Sequence, residues 1–257
     1  MIQHSINPYQ YIHVNYIISC MKKILFQAIF LGYLYLNLIT FILLYNTKYM
    51  NILLVNTLIY FLISIIIFLF FLKLKEHTLS YGSIITFSRT IINIVILSVA
   101  IFFDNLISSA NLIIVLSLIS LTLDGVDGYM AKLFNQSSKF GELFDMESDT
   151  LLMFILCLSL YLNFNSNIYI LLIPVYRYIF IIMQKKIIWC RNNLPDSLRR
   201  KFICVAVTLI LIASHITIFN EKIVAYMINF SIFLITFSFS KDIIWLYQKN
   251  MVKRYEY

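Results

Sequence analysis

Long runs of apolar residues, separated by short polar segments, dominate the chain. Most of these runs approach the roughly 20 residues that a helix needs to cross the hydrocarbon core of a bilayer. Their approximate bounds are 24–45, 51–72, 90–103, 106–123, 141–162, 167–183, 202–219 and 223–240. In lipid the backbone must satisfy its own hydrogen bonds, which a helix does within one segment. We therefore expect an all-α, polytopic integral membrane bundle of about eight transmembrane helices.

The composition supports a membrane protein and excludes several other classes. The chain is 61% hydrophobic and 12% charged, with a mean hydropathy of +0.86, values typical of polytopic membrane proteins. The net charge of +8 does not indicate nucleic-acid binding, because the basic residues lie between apolar runs and form no long basic face. The four cysteines form no CxxC pair, so zinc and redox motifs are unsupported.

Acidic residues are concentrated in one short stretch. Six of the twelve Asp and Glu residues fall within 26 positions, namely Asp124, Asp127, Glu142, Asp145, Glu147 and Asp149. Carboxylates are costly beside hydrocarbon, so such a concentration indicates a functional site.

The spacing of these acids predicts that four of them converge. Asp124 and Asp127 share one helical face at i and i+3, and Asp145 and Asp149 share a face of the next helix at i and i+4. A short turn near residues 135–139 would pack the two helices antiparallel. Four adjacent carboxylates repel one another unless cations lie between them. Hard oxygen ligands of this kind suit Mg²⁺ or Mn²⁺, which share their coordination with substrate phosphates.

Small and basic residues accompany the acids. Gly128, Ala131 and Gly141 leave room for a substrate beside the helix backbones. Lys132 and Lys139 supply positive charge for phosphate. The stretch therefore combines metal ligands, space and phosphate contacts.

In order and spacing, Asp124 to Asp149 resembles the signature of the CDP-alcohol phosphotransferases, Asp-x2-Asp-Gly-x2-Ala-Arg-x8-Gly-x3-Asp-x3-Asp. The one departure is Lys132, which stands where the family has Arg. Lysine keeps the charge but loses the planar two-pronged donor geometry, which affects the strength of diphosphate binding.

A second, weaker likeness precedes the signature. Residues 81–89 are similar to the Pro-Asn-x2-Thr-x2-Arg segment that opens the catalytic domain in this family, with Gly82 and Ser83 replacing Pro and Asn. Thr86 and Arg89 either line the mouth of the active site or anchor the helix at the headgroups. The expected division is 1–77 with two extra transmembrane helices, 78–245 as a six-helix catalytic domain, and 246–257 as a basic cytoplasmic tail.

The resemblance implies a reaction and its participants. A CDP-linked lipid, usually CDP-diacylglycerol, gives its phosphatidyl group to the hydroxyl of a small alcohol and releases CMP. Asp124, Asp127 and Asp145 are implied to hold two divalent cations, and Asp149 to act as general base or as a further metal ligand. The implied substrate contacts are Gly128, Ala131, Lys132, Ser138 and Gly141. Membrane lipids and a second copy, in a homodimer, are the implied partners.

The basic residues outside the signature each have two possible roles. Arg177, inside an apolar run, either binds an anion or extends its stem to the interface. The adjacent cations Arg199, Arg200 and Lys201 either contact an acceptor phosphate or anchor the topology. The acceptor alcohol is not readable from the sequence.

The distribution of basic residues predicts the orientation. Eight spans place all but three of the twenty Lys and Arg residues on the side of the acidic signature; the exceptions are Lys48, Lys222 and Arg177. This asymmetry places both termini and the signature in the cytoplasm. We expect a bacterial inner-membrane protein.

Two other functions fit parts of the pattern. Membrane prenyltransferases also bind a diphosphate through Asp-rich helices and Mg²⁺, but they typically carry two separated motifs, whereas this chain has one continuous cluster. A cation transporter, which is not an enzyme, needs carboxylates near mid-membrane with access from both faces, whereas these lie at helix ends.

Overall fold

The computed structural model describes most of the chain. The backbone is described for residues 26–42, 49–74, 81–102, 106–133, 139–164, 166–192, 194–195 and 197–255. Side chains are described for the same ranges, except at 49–51, 72–74, 81, 127–133 and 252–255.

The described residues form helices and connecting segments, with no strand among them. Eight α-helices are present in these ranges: α1 Phe26–Ile42, α2 Tyr49–Leu74, α3 Tyr81–Phe102, α4 Leu106–Leu133, α5 Lys139–Asn163, α6 Leu172–Lys186, α7 Leu198–Ala213 and α8 Glu221–Tyr255. Short 3₁₀ helices at Ile168–Leu171 and Ile188–Arg191 flank α6. The all-α expectation is confirmed.

Five helices of the described chain are long and apolar enough to cross a bilayer. Their candidate spans are Ile52–Phe71, Gly82–Phe102, Leu106–Val126, Ile168–Lys186 and Glu221–Met251. Of the others, α1 and α7 are shorter, and α5 carries acidic residues in its first half. The expected polytopic membrane bundle is confirmed.

Several helices extend beyond the apolar runs that predicted them. The segment 81–89, expected to precede the third span, forms the first turns of α3. As the helical spacing of Asp124 and Asp127 predicted, α4 continues into the first part of the acidic signature and ends at Leu133, and α8 continues past Lys241 to Tyr255. Hydropathy marks the part of a helix that contacts lipid, whereas a helix ends only where the backbone hydrogen bonds end. Charged residues alone therefore did not end these helices.

The helices fall into two compact units. The first unit contains the chain up to Ser98 together with Ile119–Asp149, and the second contains Val99–Leu118 together with Thr150–Tyr257.

In the first unit, polar side chains join α1, α2 and α3. The Tyr60 hydroxyl of α2 donates to the Ile29 carbonyl of α1 at 2.6 Å. Asn56 of α2 donates to the Thr40 hydroxyl at 3.3 Å and accepts a hydrogen bond from Ser98 of α3. Between helices that lie in hydrocarbon, such bonds supplement van der Waals packing.

An aromatic cluster joins α2 to the start of α5 in the same unit. Phe71 meets Phe140 edge-to-face with ring centroids 5.3 Å apart, and Phe140 stacks on Phe144 at 5.6 Å. Ile67 completes the buried part of this cluster. The first turns of α5, which carry part of the acidic signature, are thus packed against α2.

In the second unit, α6 and α7 both pack on α8. Tyr176 of α6 stacks on Phe239 of α8 with ring centroids 5.9 Å apart, and its hydroxyl lies 2.8 Å from that of Thr236. Buried His215, just after α7, hydrogen-bonds to Ser159 of α5 at 3.1 Å. These contacts define the packing of the second unit.

Two helical glycines provide a matched test of the α1 packing. A Cβ on Gly32 would lie 2.5 Å from a Phe87 ring carbon and 2.6 Å from the Tyr60 hydroxyl, whereas a Cβ on Gly125 would meet nothing within 4 Å. We expect Gly32→Ala to destabilise the protein by about 1–3 kcal/mol through overpacking. Gly125→Ala should stabilise it by up to about 1 kcal/mol, because alanine favours the helix.

The measurement is the thermal unfolding midpoint of each variant in detergent. Equal midpoints for the two variants would contradict the close approach of α1 to α3.

Candidate functional site

Arg89 of α3 is the centre of an ion cluster in the first unit. Its Nη1 lies 2.5 Å from Asp145 Oδ1 and 2.8 Å from Asp124 Oδ1, and its Nη2 lies 2.5 Å from Asp149 Oδ1. The arginine therefore joins α3 to the ends of α4 and α5 that carry the acidic signature. The planar guanidinium, with five N–H donors, suits several carboxylates at once.

Buried hydrogen bonds behind Arg89 hold the same three helices. Arg89 Nε donates to the Ser120 carbonyl at 3.1 Å, and the Ser120 hydroxyl donates to Asn93 Oδ1 at 2.9 Å. The Asn93 amide donates to the Ser148 carbonyl at 3.3 Å. Because these groups are buried, losing one partner would leave another polar group without compensation. The network thus maintains the positions from which the carboxylates project.

The positive and negative side chains of the cluster differ in their exposure. The Arg89 side chain is 0% exposed, whereas those of Asp124, Asp145 and Asp149 are 25%, 35% and 29% exposed. The positive group therefore lies beneath a partly exposed acidic rim. Three carboxylates and one guanidinium leave an excess of two negative charges among these side chains.

The rim offers carboxylate oxygens as candidate ligands for a divalent cation. One carboxylate oxygen from each of Asp124, Asp145 and Asp149 lies within 4.8 Å of the other two, and these residues form the one such group found among the described side chains. A carboxylate has two oxygens and about four lone-pair sites, so pairing with arginine does not prevent it from binding a metal. Mg²⁺ and Mn²⁺ prefer such oxygen ligands and keep further positions for water or substrate phosphate.

The structure thus brings together three of the four predicted metal ligands. Asp127 lies in α4, but its side chain is outside the described part. The same holds for three predicted substrate residues, Gly128, Ala131 and Lys132. Ser138 lies outside the described residues altogether, and Gly141 is partly buried in the first turn of α5.

Arg177 has a partner in the second unit. Its Nη1 donates to the Thr150 hydroxyl at 2.5 Å, which joins α6 to α5. An arginine inside an apolar helix is expected to have a polar partner.

The cations at the start of α7 differ in their contacts. Arg199 donates to Asp242 of α8 at 2.5 Å and to the Ser238 carbonyl at 3.0 Å. Arg200 lies 3.8 Å from Asp242 and donates to the Pro195 carbonyl, whereas Lys201 is exposed. Asp242 is only 8% exposed, so its charge is compensated mainly by Arg199. This pairing attaches α7 to α8.

Sequence reasoning did not identify Arg89 as the centre of the cluster or Asn93 and Ser120 as its support. The available signal was Arg89 itself, because an ionised group in an apolar helix needs a partner. Its partners lie 35, 56 and 60 positions further along the chain, and no local pattern joins them. Asn93 and Ser120 resemble the other scattered polar residues of membrane helices.

A family profile described as CDP-alcohol phosphatidyltransferase matches residues 79–239. The matched region begins just before α3 and contains every residue of the ion cluster, whereas α1 and α2 lie before it. Comparisons with curated proteins and with solved structures gave no significant match.

The ion cluster predicts a link between Arg89 and metal binding. Arg89→Met should destabilise the metal-free protein, because three carboxylates lose their counter-charge. Breaking a fully buried ion pair costs about 3–5 kcal/mol, and we expect less here because the carboxylates are partly exposed. Added Mn²⁺ should raise the thermal unfolding midpoint of Arg89→Met more than that of the wild type.

The control is Arg89→Lys, which retains the charge. Its Mn²⁺-induced rise in unfolding midpoint should lie between those of the wild type and Arg89→Met. An equal Mn²⁺-induced shift in the wild type and Arg89→Met would argue against a shared electrostatic role.

Proposed function

Since the chain belongs to the CDP-alcohol phosphatidyltransferase family, we propose that it transfers a phosphatidyl group from a CDP-linked lipid such as CDP-diacylglycerol to a small alcohol, releasing CMP, in phospholipid biosynthesis. The observation that carries this proposal is the convergence of Asp124, Asp145 and Asp149 on an oxygen-rich rim. This integral membrane fold suits a donor whose tails stay in the bilayer.

In this proposal, Asp124, Asp127 and Asp145 would hold two ions of Mg²⁺ or Mn²⁺, which would withdraw charge from the diphosphate and stabilise the departing CMP. Arg89 remains beneath the carboxylates and keeps them close together. The protein thus supplies prearranged ligands that need little movement when the substrate binds.

Asp149 is the proposed general base. The acceptor hydroxyl oxygen bonds to the phosphorus that carries the diacylglycerol, and the bond from that phosphorus to the bridging oxygen of the diphosphate breaks. The electron pair of the broken bond leaves with CMP, and the hydroxyl proton passes to Asp149. Arg89 donates a hydrogen bond to Asp149 Oδ1, and a carboxylate has further lone pairs that can accept the proton of the acceptor hydroxyl. Asp149 serves alternatively as a further metal ligand.

The remaining site residues are proposed substrate contacts. Gly128 and Ala131 let the cytidine approach α4, and Lys132 contacts the phosphates. Ser138 and Gly141 complete the donor contacts. The proposed acceptor or phosphate contacts are Arg177, Arg199, Arg200 and Lys201.

We also propose the setting of the reaction. Residues 78–245 form the catalytic domain, 1–77 an N-terminal addition and 246–257 a basic tail. The site and both termini face the cytoplasm of a bacterial inner membrane, where nucleotide-activated substrates are made. The active form is a homodimer.

The position of the acids favours this proposal over the alternatives. Asp124 lies near the end of the candidate span in α4, and Asp145 and Asp149 lie in the first half of α5. A transporter needs its carboxylates near mid-membrane. A prenyltransferase typically has two separated acidic motifs, whereas the described residues contain one acidic metal group.

The direct test uses purified protein in nanodiscs with labelled CDP-diacylglycerol, Mg²⁺ or Mn²⁺, and a panel of alcohols that includes glycerol phosphate, inositol phosphate and serine. We expect metal-dependent release of CMP and one new lipid with the preferred alcohol. No CMP release with any alcohol under either metal would reject the proposed function.

Asp149→Asn should abolish transfer while the protein stays folded and inserted, because the amide cannot accept the acceptor's proton. Asp124→Asn should also remove the dependence of CMP release on Mg²⁺ or Mn²⁺. The matched control is Glu142→Gln, which removes an exposed carboxylate from the same helix as Asp149. CMP release by Asp149→Asn at the control rate would remove Asp149 from this role.

Lys132→Arg tests the departure from the family signature. Arginine restores a two-pronged donor for phosphate, so we expect the KM for the CDP-linked donor to stay equal or fall. Steady-state kinetics with varied donor and saturating alcohol measure this. Complete loss of activity would mean that Lys132 does not contact the phosphates.

A further inference from the structure

The first unit contains an apolar cavity beside the ion cluster. Its volume is about 400 Å³, within the range of small-molecule sites in proteins. The lining comes from α1, α2, α3 and α5, and none of its thirteen described lining residues is charged. Apolar cavities exclude water and bind apolar molecules, as engineered cavities of about 150 Å³ already do. This cavity therefore suits a hydrocarbon group and not a phosphate or a sugar.

The lining is closely packed where α1 approaches α3. Gly32 brings α1 so close to Phe87 that no Cβ fits between them. On another side, Phe140 and Phe144 stack as part of the aromatic cluster. The hydroxyl of Ser88, one of the few polar lining groups, donates to the Ile85 carbonyl of its own helix at 2.8 Å. The cavity therefore presents mainly ring and aliphatic surfaces.

Part of the cavity lining is well exposed. Leu31, Tyr35 and Ile84 line it and are 63%, 43% and 52% exposed. Ile84 belongs to a helix long and apolar enough to span a bilayer, and Leu31 and Tyr35 belong to the apolar α1. The exposed part of the lining thus belongs to helices whose apolar surfaces suit contact with lipid.

The cavity lining and the ion cluster use neighbouring residues of α3 and α5. Ser88 and Phe144 line the cavity, and each directly precedes a member of the ion cluster, Arg89 and Asp145. Consecutive Cα atoms are about 3.8 Å apart. A lipid with its diphosphate at the rim therefore has an apolar recess beside its glycerol backbone.

From this arrangement we propose that the cavity receives one acyl chain of the CDP-linked lipid donor, with α1 supplying a wall that the family-matched region lacks. The inference rests on the proposed function, because the donor's head must be at the rim. The second chain stays in the bilayer. The two N-terminal helices thereby contribute to donor recognition.

The test uses CDP-diacylglycerol with a photoreactive diazirine in one acyl chain, illuminated in nanodiscs without turnover. We expect adducts on the lining segments of α1 and α3, mapped by mass spectrometry. Labelling should be much stronger than with phosphatidylcholine that carries the same diazirine. Equal labelling by the two lipids would overturn the donor assignment and indicate a general lipid site.

Variants give a second measurement. Ala28→Phe and Leu31→Trp add bulk at the lining, whereas Leu38→Trp is a matched control on α1, 57% exposed and outside the cavity. The two lining variants should raise the KM for long-chain donors about three- to tenfold, without changing that for a short-chain donor. The effect is modest because a tail leaving lipid exchanges one apolar surface for another. The Leu38→Trp control should have the wild-type KM for both donors.

The two proposals fail in different ways. Absence of CMP release from any donor rejects the proposed function, and the acyl-chain assignment with it. Normal CMP release with an unchanged chain-length preference and undiminished labelling in Ala28→Phe overturns the acyl-chain assignment alone.

Discussion

The contact between one buried guanidinium and three carboxylates determines how α3, α4 and α5 are arranged. Arg89 loses all of its hydration in this position, a cost that only close, well-oriented partners offset. Asp124, Asp145 and Asp149 supply them from two other helices. A shift of any of these helices by one turn, about 5.4 Å, would separate the charges. The register of the three helices therefore depends on this cluster.

The same cluster has a chemical consequence. A buried cation alone would favour an anion, but the three acids exceed it in number and are more exposed. The surface that these side chains present is therefore negative, which favours a cation over an anion at the rim. Asn93 and Ser120 support Arg89 from behind through buried hydrogen bonds. The positions of the three carboxylates thus depend on a buried hydrogen-bond network that joins α3, α4 and α5.

The two N-terminal helices, α1 and α2, are attached to the part of the chain that holds the ion cluster. The family match begins after them, yet α1 and α2 are joined to the matched region by Asn56, Tyr60 and the aromatic cluster. Hydrogen bonds and close packing, which supply the association between helices in lipid, are both present here. An addition attached in this way forms one compact unit with the ion cluster and shapes the space beside it.

The sequence alone was sufficient for the local features. Apolar runs predicted the eight helices found in the described chain, because lipid requires each segment to satisfy its own backbone. The i, i+4 spacing of Asp145 and Asp149 predicted their shared face, because helix geometry is periodic. The sequence also indicated the family, through a signature contained within 26 residues. The roles expected for the site residues, Asp127 and Lys132 among them, stay predictions.

Tertiary structure alone decided which distant groups meet. The full length of α8 was not evident from the sequence, because hydropathy reports contact with lipid and not the end of backbone hydrogen bonding. The partners of Arg89 could not be read from the sequence, because pairing across helices depends on register and rotation, which packing sets. For the same reason the pairing of Arg199 with Asp242 was not foreseen. Sequence periodicity specifies the faces of single helices, and only packing determines which faces meet.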